Sequence, residues 1–186
     1  MKNDIQSITQ VKEIYLPKRS SSDEYLETID EYCKRMKDML PNFPDEVLSQ
    51  WFYKHHRLDI DDYAWIDYST LQFKKEEWGS EKIFSSGIKD NERVQINKKQ
   101  FEMGDKTLSK DEIENYFTQH HTWPIAPILL HNPNDDMSLP NGYKCTSPYH
   151  PIDGNHRLGV FISLFENSSI DKEKTHFVWI AKTNIT

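Results

Sequence analysis

One short stretch, Ile152-Asp153-Gly154-Asn155-His156-Arg157-Leu158, constrains the fold of this chain more than any other. The segment from Tyr149 to Ile152 is short and rich in apolar residues, which predicts a strand. The residues after the motif repeat apolar side chains at helical spacing, namely Leu158, Val160, Phe161, Leu164 and Phe165. Asn167 and Ser168 are typical of the end of such a helix. The motif is therefore predicted to form the turn between a strand and the N-terminus of a helix.

Such a turn is suited to bind an anion. The first backbone N–H groups of a helix lack intrahelical partners, and the helix dipole is positive at that end. Arg157 falls in the first turn, where its guanidinium can donate two hydrogen bonds to one oxyanion. If Arg157 faced the core instead, it would need a carboxylate partner. We expect a phosphate to be held by the four residues Gly154, Asn155, His156 and Arg157.

Each motif residue also has a structural explanation. A glycine is favoured wherever the backbone needs a positive φ, and Asp153 and Asn155 belong to residue types that commonly make local capping hydrogen bonds. His156 can donate to a phosphate, act as a general base near neutral pH or bond a backbone carbonyl. The candidate catalytic residues are His156 and Asp153, and the sequence leaves these alternatives open.

An apolar strand, then Asp-Gly-Asn-His-Arg-Leu, then a helix and another strand together resemble the ParB/sulfiredoxin superfamily across residues 123–182. Trp123 to Leu130 resembles the strand before the motif, His176 to Ile180 the strand after its helix, and Tyr63 to Trp78 the opening strand and turn. The resemblance implies an α+β fold with a small mixed sheet and packed helices. It also implies that Gly154 to Arg157 hold the phosphates of a nucleotide or of nucleic acid.

Asn155 separates this chain from one branch of that superfamily. Sulfiredoxins carry a nucleophilic cysteine at this position, and an amide supplies no thiolate. The partitioning proteins have a Glu-Arg-Arg type sequence there and a DNA-binding domain beyond it, whereas this chain stops about twenty residues after its predicted helix. We therefore expect neither sulfinic acid reduction nor chromosome partitioning.

The charge of the chain bears on its ligand. Its 23 basic and 30 acidic residues give a formal net charge of −7, and residues 120–186, with five basic and six acidic side chains, are not basic either. Binding a nucleic-acid duplex relies on Lys and Arg that neutralise phosphates, so a nucleotide is favoured over nucleic acid as the partner. We expect phosphoryl transfer or hydrolysis on a nucleotide that brings Mg²⁺ with it. No zinc-type spacing such as His-Glu-x-x-His predicts a metal site of the protein itself.

Two alternatives stay open. The first is a ParB-like nuclease that acts on nucleic acid. The second is a non-catalytic antitoxin, immunity or regulatory factor that engages a protein partner through an acidic, aromatic-rich surface, since aromatic residues make up 12% of the chain. The sequence leaves open whether the protein is an enzyme.

The length of 186 residues fits one domain with an embellishment. We expect an N-terminal helical extension over residues 1–60, packed on a ParB/sulfiredoxin-like domain over residues 61–186 with an insertion around 85–120. In the extension, Ser22 is the predicted cap of one helix and Pro44 the predicted start of another.

Two further segments carry local signals. The alternation in Val94 to Asn97 predicts a short strand within the insertion. The residues from Asn132 to Gly142 include two prolines and an Asn-Gly pair, which predict the loop of a long hairpin. The chain has no apolar run near 18 residues and no signal-like N-terminus, so we expect a cytoplasmic protein with no membrane partner.

Overall fold

A computed structural model describes residues 13–54, 62–104, 108–139 and 142–183. The protein belongs to the α+β class, with several helices and a small mixed sheet of four strands in the described residues. The chain divides into two units by contact. The first contains residues up to 73 with 139–143 and the C-terminal end, and the second contains residues 74–138 and 144–182. The predicted boundary between residues 60 and 61 lies outside the described residues.

The first unit contains helix α1, Ile29–Met39. The Thr28 hydroxyl accepts a hydrogen bond from the Glu31 N–H, and the Glu31 carboxylate accepts one from the Thr28 N–H. This reciprocal capping box satisfies two donors that a helix end otherwise leaves unpaired. The predicted cap at Ser22 is wrong, because the helix begins after Thr28. Three residues after Thr28 lies Glu31, which closes the capping box, whereas three residues after Ser22 lies Tyr25, which cannot.

The second helix, α2, spans Asp45–Val47 and continues as π-helical turns over Leu48–Tyr53. Its start confirms the prediction, since Pro44 occupies the N-cap position. Phe52 and Tyr68 meet edge to face with their ring centroids 5.4 Å apart, a geometry that aromatic quadrupoles favour. The core of this unit is built largely from buried aromatic side chains: Tyr32, Phe43, Trp51, Phe52, Tyr63 and Tyr68.

A guanidinium ties the segment before α1 to that helix. Arg35 forms an ion pair with Glu27 at 2.5 Å and donates to the carbonyl oxygens of Ile14 and Leu16, both at 3.0 Å. The hydrogen bond from Arg35 lowers the pKa of the Glu27 carboxyl. One arginine thereby satisfies two backbone acceptors and one nearly buried carboxylate.

The sheet belongs mainly to the second unit. Its strands are β1 Gln72–Gly79, β2 Ile128–His131, β3 Tyr149–Asp153 and β4 Thr175–Lys182. They lie in the order β1-β4-β2-β3. Strand β2 pairs antiparallel with β3 and parallel with β4, so the sheet is mixed. The antiparallel pairing of β2 with β3 confirms the predicted hairpin, but its connection runs from 132 to 148, beyond the predicted end at Gly142. Pro140 and Asn141 of the predicted loop lie outside the described residues. Strand β4 contains the strand predicted at His176 to Ile180.

The strand predicted at Trp123 to Leu130 is shorter than expected. Strand β2 begins only at Ile128, and residues 123–127 form an irregular segment that leads into it. Pro124 and Pro127 account for the difference, because proline has no N–H to donate to a sheet ladder. We call residues 123–127 the entry loop.

The helices of the second unit are α3 Ser80–Ser85, α4 Glu92–Glu102, α5 Leu108–His120 and α6 Asn155–Glu166. Helix α4 shows that the strand predicted at Val94 to Asn97 is wrong. The Asn91 side chain accepts a hydrogen bond from the Val94 N–H at 3.1 Å and so caps a helix. Four alternating residues match a helix turn equally well, and the two buried residues, Val94 and Asn97, are three apart. In the described part of the chain, no helix has the length and apolar character needed to cross a membrane.

Helix α6 lies at the centre of the second unit. Seven of its residues are buried, namely Leu158, Gly159, Val160, Phe161, Ile162, Ser163 and Phe165. It packs closely on α4 at Gly159, where an added Cβ would lie 2.8 Å from the Lys98 backbone nitrogen. Lys98 also joins the two helices through an ion pair with Glu166 at 2.9 Å, and it pairs with Glu102 of its own helix at 2.9 Å. The glycine therefore sets the distance at which α4 and α6 pack.

We predict that Gly159→Ala lowers the free energy of unfolding by about 1–3 kcal/mol, as expected for overpacking against rigid backbone. The matched control is Gly79→Ala, because a Cβ at Gly79 would meet no atom within 4 Å. The control should change stability by less than about 1 kcal/mol. Urea unfolding of both variants measures the difference, and equal values would show that α4 and α6 do not depend on this close approach.

Two histidines are buried in hydrogen-bond networks. His176 lies between the Ser80 and Thr122 hydroxyls, at 3.0 Å and 3.1 Å, and is 1% exposed. His150 Nδ1 accepts a hydrogen bond from the Thr146 N–H at 3.1 Å. Burial, helped by Lys174, lowers the pKa of His176 to about 4, and burial, helped by Arg93, lowers that of His150 to about 4. Both side chains are therefore neutral in the folded protein at pH 7.

These pKa values predict acid sensitivity. The unfolded chain takes up protons on both histidines near pH 6.5, whereas the folded chain does so only near pH 4. Stability should therefore fall as the pH drops from about 6.5 to about 4, by at most about 3 kcal/mol per histidine. His176→Gln should flatten the pH dependence of urea unfolding over this range, and His120→Gln, at an exposed position, is the control. An unchanged slope in His176→Gln would contradict the prediction.

Candidate functional site

The motif forms the turn that the sequence predicted. Strand β3 ends at Asp153, Gly154 adopts φ 94° and ψ 20°, and α6 begins at Asn155. The first α-helical hydrogen bond of α6 runs from the Leu158 N–H to the Gly154 carbonyl at 2.9 Å. The strand, the left-handed glycine and the helix N-terminus are thus confirmed as one continuous element. All of them lie in the second unit.

Gly154 is required for two separate reasons. Its φ lies in the left-handed region, which residues other than glycine adopt only at a cost in conformational energy. A Cβ at this position would also lie 2.7 Å from the Pro127 Cβ and 3.1 Å from Arg157 Nη2. The motif turn therefore packs directly against the entry loop.

Arg157 points back toward the strand. Its Nη2 pairs with Asp153 Oδ2 at 2.5 Å, and its Nη1 donates to the Ile125 carbonyl at 2.6 Å. The side chains of Arg157 and Asp153 are only 12% and 5% exposed. The structure thus supplies the carboxylate that an inward-facing arginine requires. The spacing of four residues between Asp153 and Arg157 was the available sequence signal for this pair.

The predicted catalytic residues differ in their surroundings. Asp153 is buried and held by Arg157, so its carboxylate is engaged in an ion pair. His156 is exposed in the first turn of α6. An exposed imidazole at this place can donate to an anion or transfer a proton to or from a bound molecule. Of the two residues, His156 is the better placed for contact with a ligand.

Asn155 presents a polar atom that the described residues leave unsatisfied. Its Oδ1 is buried and accepts no hydrogen bond from them. A buried polar atom of this kind costs free energy unless water or a ligand bonds to it. Asn155 is the first residue of α6, so this atom lies at the same helix end as His156.

The electrostatics of the helix end favour negative charge. The first turn of α6 contains no acidic residue, and the dipole of this 12-residue helix places partial positive charge there. The Asp153 carboxylate largely balances the charge of Arg157. Within the four described ranges, no group of three His, Cys, Asp or Glu side chains is arranged to hold a metal ion. The helix end and His156 are therefore the main sources of attraction for an anion.

Sequence reasoning missed the entry loop. Hydrogen bonds within the described residues hold it: Trp123 Nε1 donates to the Phe177 carbonyl at 2.7 Å, Arg157 Nη1 donates to the Ile125 carbonyl, and the Trp179 N–H donates to the Pro127 carbonyl at 2.9 Å. The two β4 contacts fix the loop to the sheet, and the Arg157 contact fixes it to the motif. No local pattern in residues 123–127 indicates these bonds.

Comparisons of the chain with protein-family models, with curated proteins and with solved structures found no match. The resemblance to the ParB/sulfiredoxin superfamily therefore stays a prediction from the motif and the order of elements. The α+β class and the geometry of the turn are established by the structure itself.

We predict that Gly154→Ala is strongly destabilising, because it adds backbone strain and a clash with Pro127. The control is Gly104→Ala, since Gly104 has a similar φ of 72° but a Cβ added there would meet no atom within 4 Å. Strain alone costs about 1–3 kcal/mol, and the clash should add a further amount of about 1–3 kcal/mol in Gly154→Ala. Thermal or urea unfolding of both variants separates the two terms. Equal losses would mean that the contact with Pro127 is without consequence.

Proposed function

We propose that the protein binds the phosphate group of a nucleotide at the N-terminus of α6 and catalyses phosphoryl transfer or hydrolysis there. The observation that carries the proposal is the left-handed Gly154 between the end of β3 and the first turn of α6. This arrangement of strand, glycine and helix N-terminus is a general solution for holding an oxyanion.

Each residue of the motif has a separate role in this proposal. Gly154 shapes the turn, Asn155 contributes its backbone N–H at the helix end, and His156 faces the ligand. His156 is the candidate general acid or base, because it is exposed and an imidazole can both donate and accept a proton. A nucleotide that arrives as its Mg²⁺ complex brings the charge needed to stabilise a transferring phosphoryl group.

The overall charge supports a compact ligand. A chain with a net charge of −7 repels a long polyanion, whereas one triphosphate can be held by a local positive potential. For this reason we place a nucleotide ahead of nucleic acid as the ligand of the motif.

One observation favours a second function, that of a non-catalytic binding or regulatory protein. Asp153, the only carboxylate in the motif, is 5% exposed and paired with Arg157. In that role the motif would be a structural turn, and the protein would bind its partner elsewhere. The following experiment separates the two functions.

We predict that wild-type protein binds ATP with saturation and that His156→Glu weakens this binding at least about tenfold. The new carboxylate faces the phosphates, and at a few ångströms like charges repel by about 1 kcal/mol or more. A negative side chain in the first turn stabilises a helix, so weaker binding would not reflect unfolding. Isothermal titration with ATP, CTP and ADP, with and without Mg²⁺, measures the affinities, and phosphate release measures turnover.

The matched control is Asn167→Glu, an exposed position at the opposite end of α6, about 18 Å away. It makes the same change in net charge and should alter ATP affinity less than about twofold. No saturable binding by the wild-type protein, or equal effects of the two variants, would reject the motif as a nucleotide site. Saturable binding without turnover would leave a nucleotide-binding protein and remove the proposed catalysis.

A further inference from the structure

We infer that Arg157 and Asp153 form a positioning pair: Arg157 shapes the ligand site by holding the entry loop against the motif, without touching the phosphate. The inference rests on the proposed function and deepens it by assigning the role of its arginine. In a helix-end phosphate site, an arginine in the first turn is expected to grip the anion directly. Three features of this structure argue against direct contact.

The first feature is the direction of the side chain. Nη1 and Nη2 of Arg157, the two ends of the guanidinium fork, bond the Ile125 carbonyl and the Asp153 carboxylate at 2.6 Å and 2.5 Å. These bonds use two of the five guanidinium N–H donors and fix the direction of the group, whereas a bidentate grip turns a pair of N–H groups to the phosphate. Turning them to a ligand would break a buried charged hydrogen bond and leave the Asp153 carboxylate without this partner, which is costly.

The second feature is the balance of charge. The side chains of Arg157 and Asp153 are only 12% and 5% exposed, so water screens their charges little and the two attract each other strongly. A phosphate near this pair meets almost no net charge from it. The attraction comes instead from the helix end and from His156.

The third feature is what the pair holds in place. Through Ile125, Arg157 fixes the middle of the entry loop, and Pro127 at the end of that loop lies against Gly154. The loop is attached at its other contacts to β4 through Trp123 and Trp179. The hydrogen bond from Arg157 to Ile125 thus joins this loop to the motif turn. Without this bond, the loop beside the ligand site could move away from the motif.

Direct contact and positioning predict opposite results for Asp153→Asn. If Arg157 grips the phosphate, removing the nearby negative charge strengthens ATP binding. If the pair positions the site, the same substitution loosens Arg157 and weakens ATP binding by about tenfold. Under positioning, the double variant Asp153→Asn/Arg157→Ala should lose no more affinity than Arg157→Ala alone, because Asp153 acts only through Arg157.

The test is a titration of wild-type protein and the three variants with ATP and Mg²⁺, combined with urea unfolding so that affinities are compared only where each variant is folded. The expected result is weaker binding by all three variants, with no larger loss in the double variant than in Arg157→Ala. Tighter binding by Asp153→Asn, or losses that add in the double variant, would overturn the inference in favour of direct contact. Lower stability with unchanged affinity would overturn it in favour of a role in folding alone.

If Asp153→Asn does not fold, Asp153→Glu takes its place. This variant keeps the charge but lengthens the side chain, so positioning predicts weaker binding and direct contact predicts unchanged binding. If the wild-type protein does not bind ATP, both the proposed function and this inference are rejected. The wild-type titration therefore tests the proposed function, and the variants test the inference.

Discussion

Burial of helix α6 on nearly every side is the constraint on which the second unit depends. A helix with seven buried residues in twelve cannot rotate or slide without exposing apolar surface. On one side Gly159 lets α4 approach, and Lys98 of α4 forms an ion pair with Glu166 of α6. The direction of α6 is therefore set by packing along its length, and its N-terminus has a fixed position at the end of β3.

The polar chemistry of the motif follows from that fixed position. Since the first turn of α6 emerges beside the entry loop, Arg157 finds the Ile125 carbonyl and the Asp153 carboxylate within hydrogen-bond distance. The most basic side chain of the motif is thus turned inward, and His156 is the residue left facing solvent. A site of this kind depends on backbone dipoles and one imidazole, which agrees with a chain that is acidic overall.

Local signals in the sequence predicted the parts of the structure that local interactions decide. The strand, glycine and helix of the motif follow from apolar spacing and from a residue that tolerates positive φ. The two wrong predictions rested on short signals: Ser22 lacks the glutamate that closes the capping box at Thr28, and the alternation in Val94 to Asn97 fits a helix turn equally well. The entry loop was beyond prediction, because it is held by partners 32 and 54 residues away.

The contact between Arg157 and Ile125 spans 32 positions of the chain. Closing such a segment costs conformational entropy that must be repaid by contacts formed at the same time. A peptide containing only β3, Gly154 and α6 would include the whole motif but neither the carbonyl that holds its arginine nor the proline against which its glycine packs. The motif is thus a property of the assembled sheet, because its arginine and its glycine take their geometry from residues that lie just before β2.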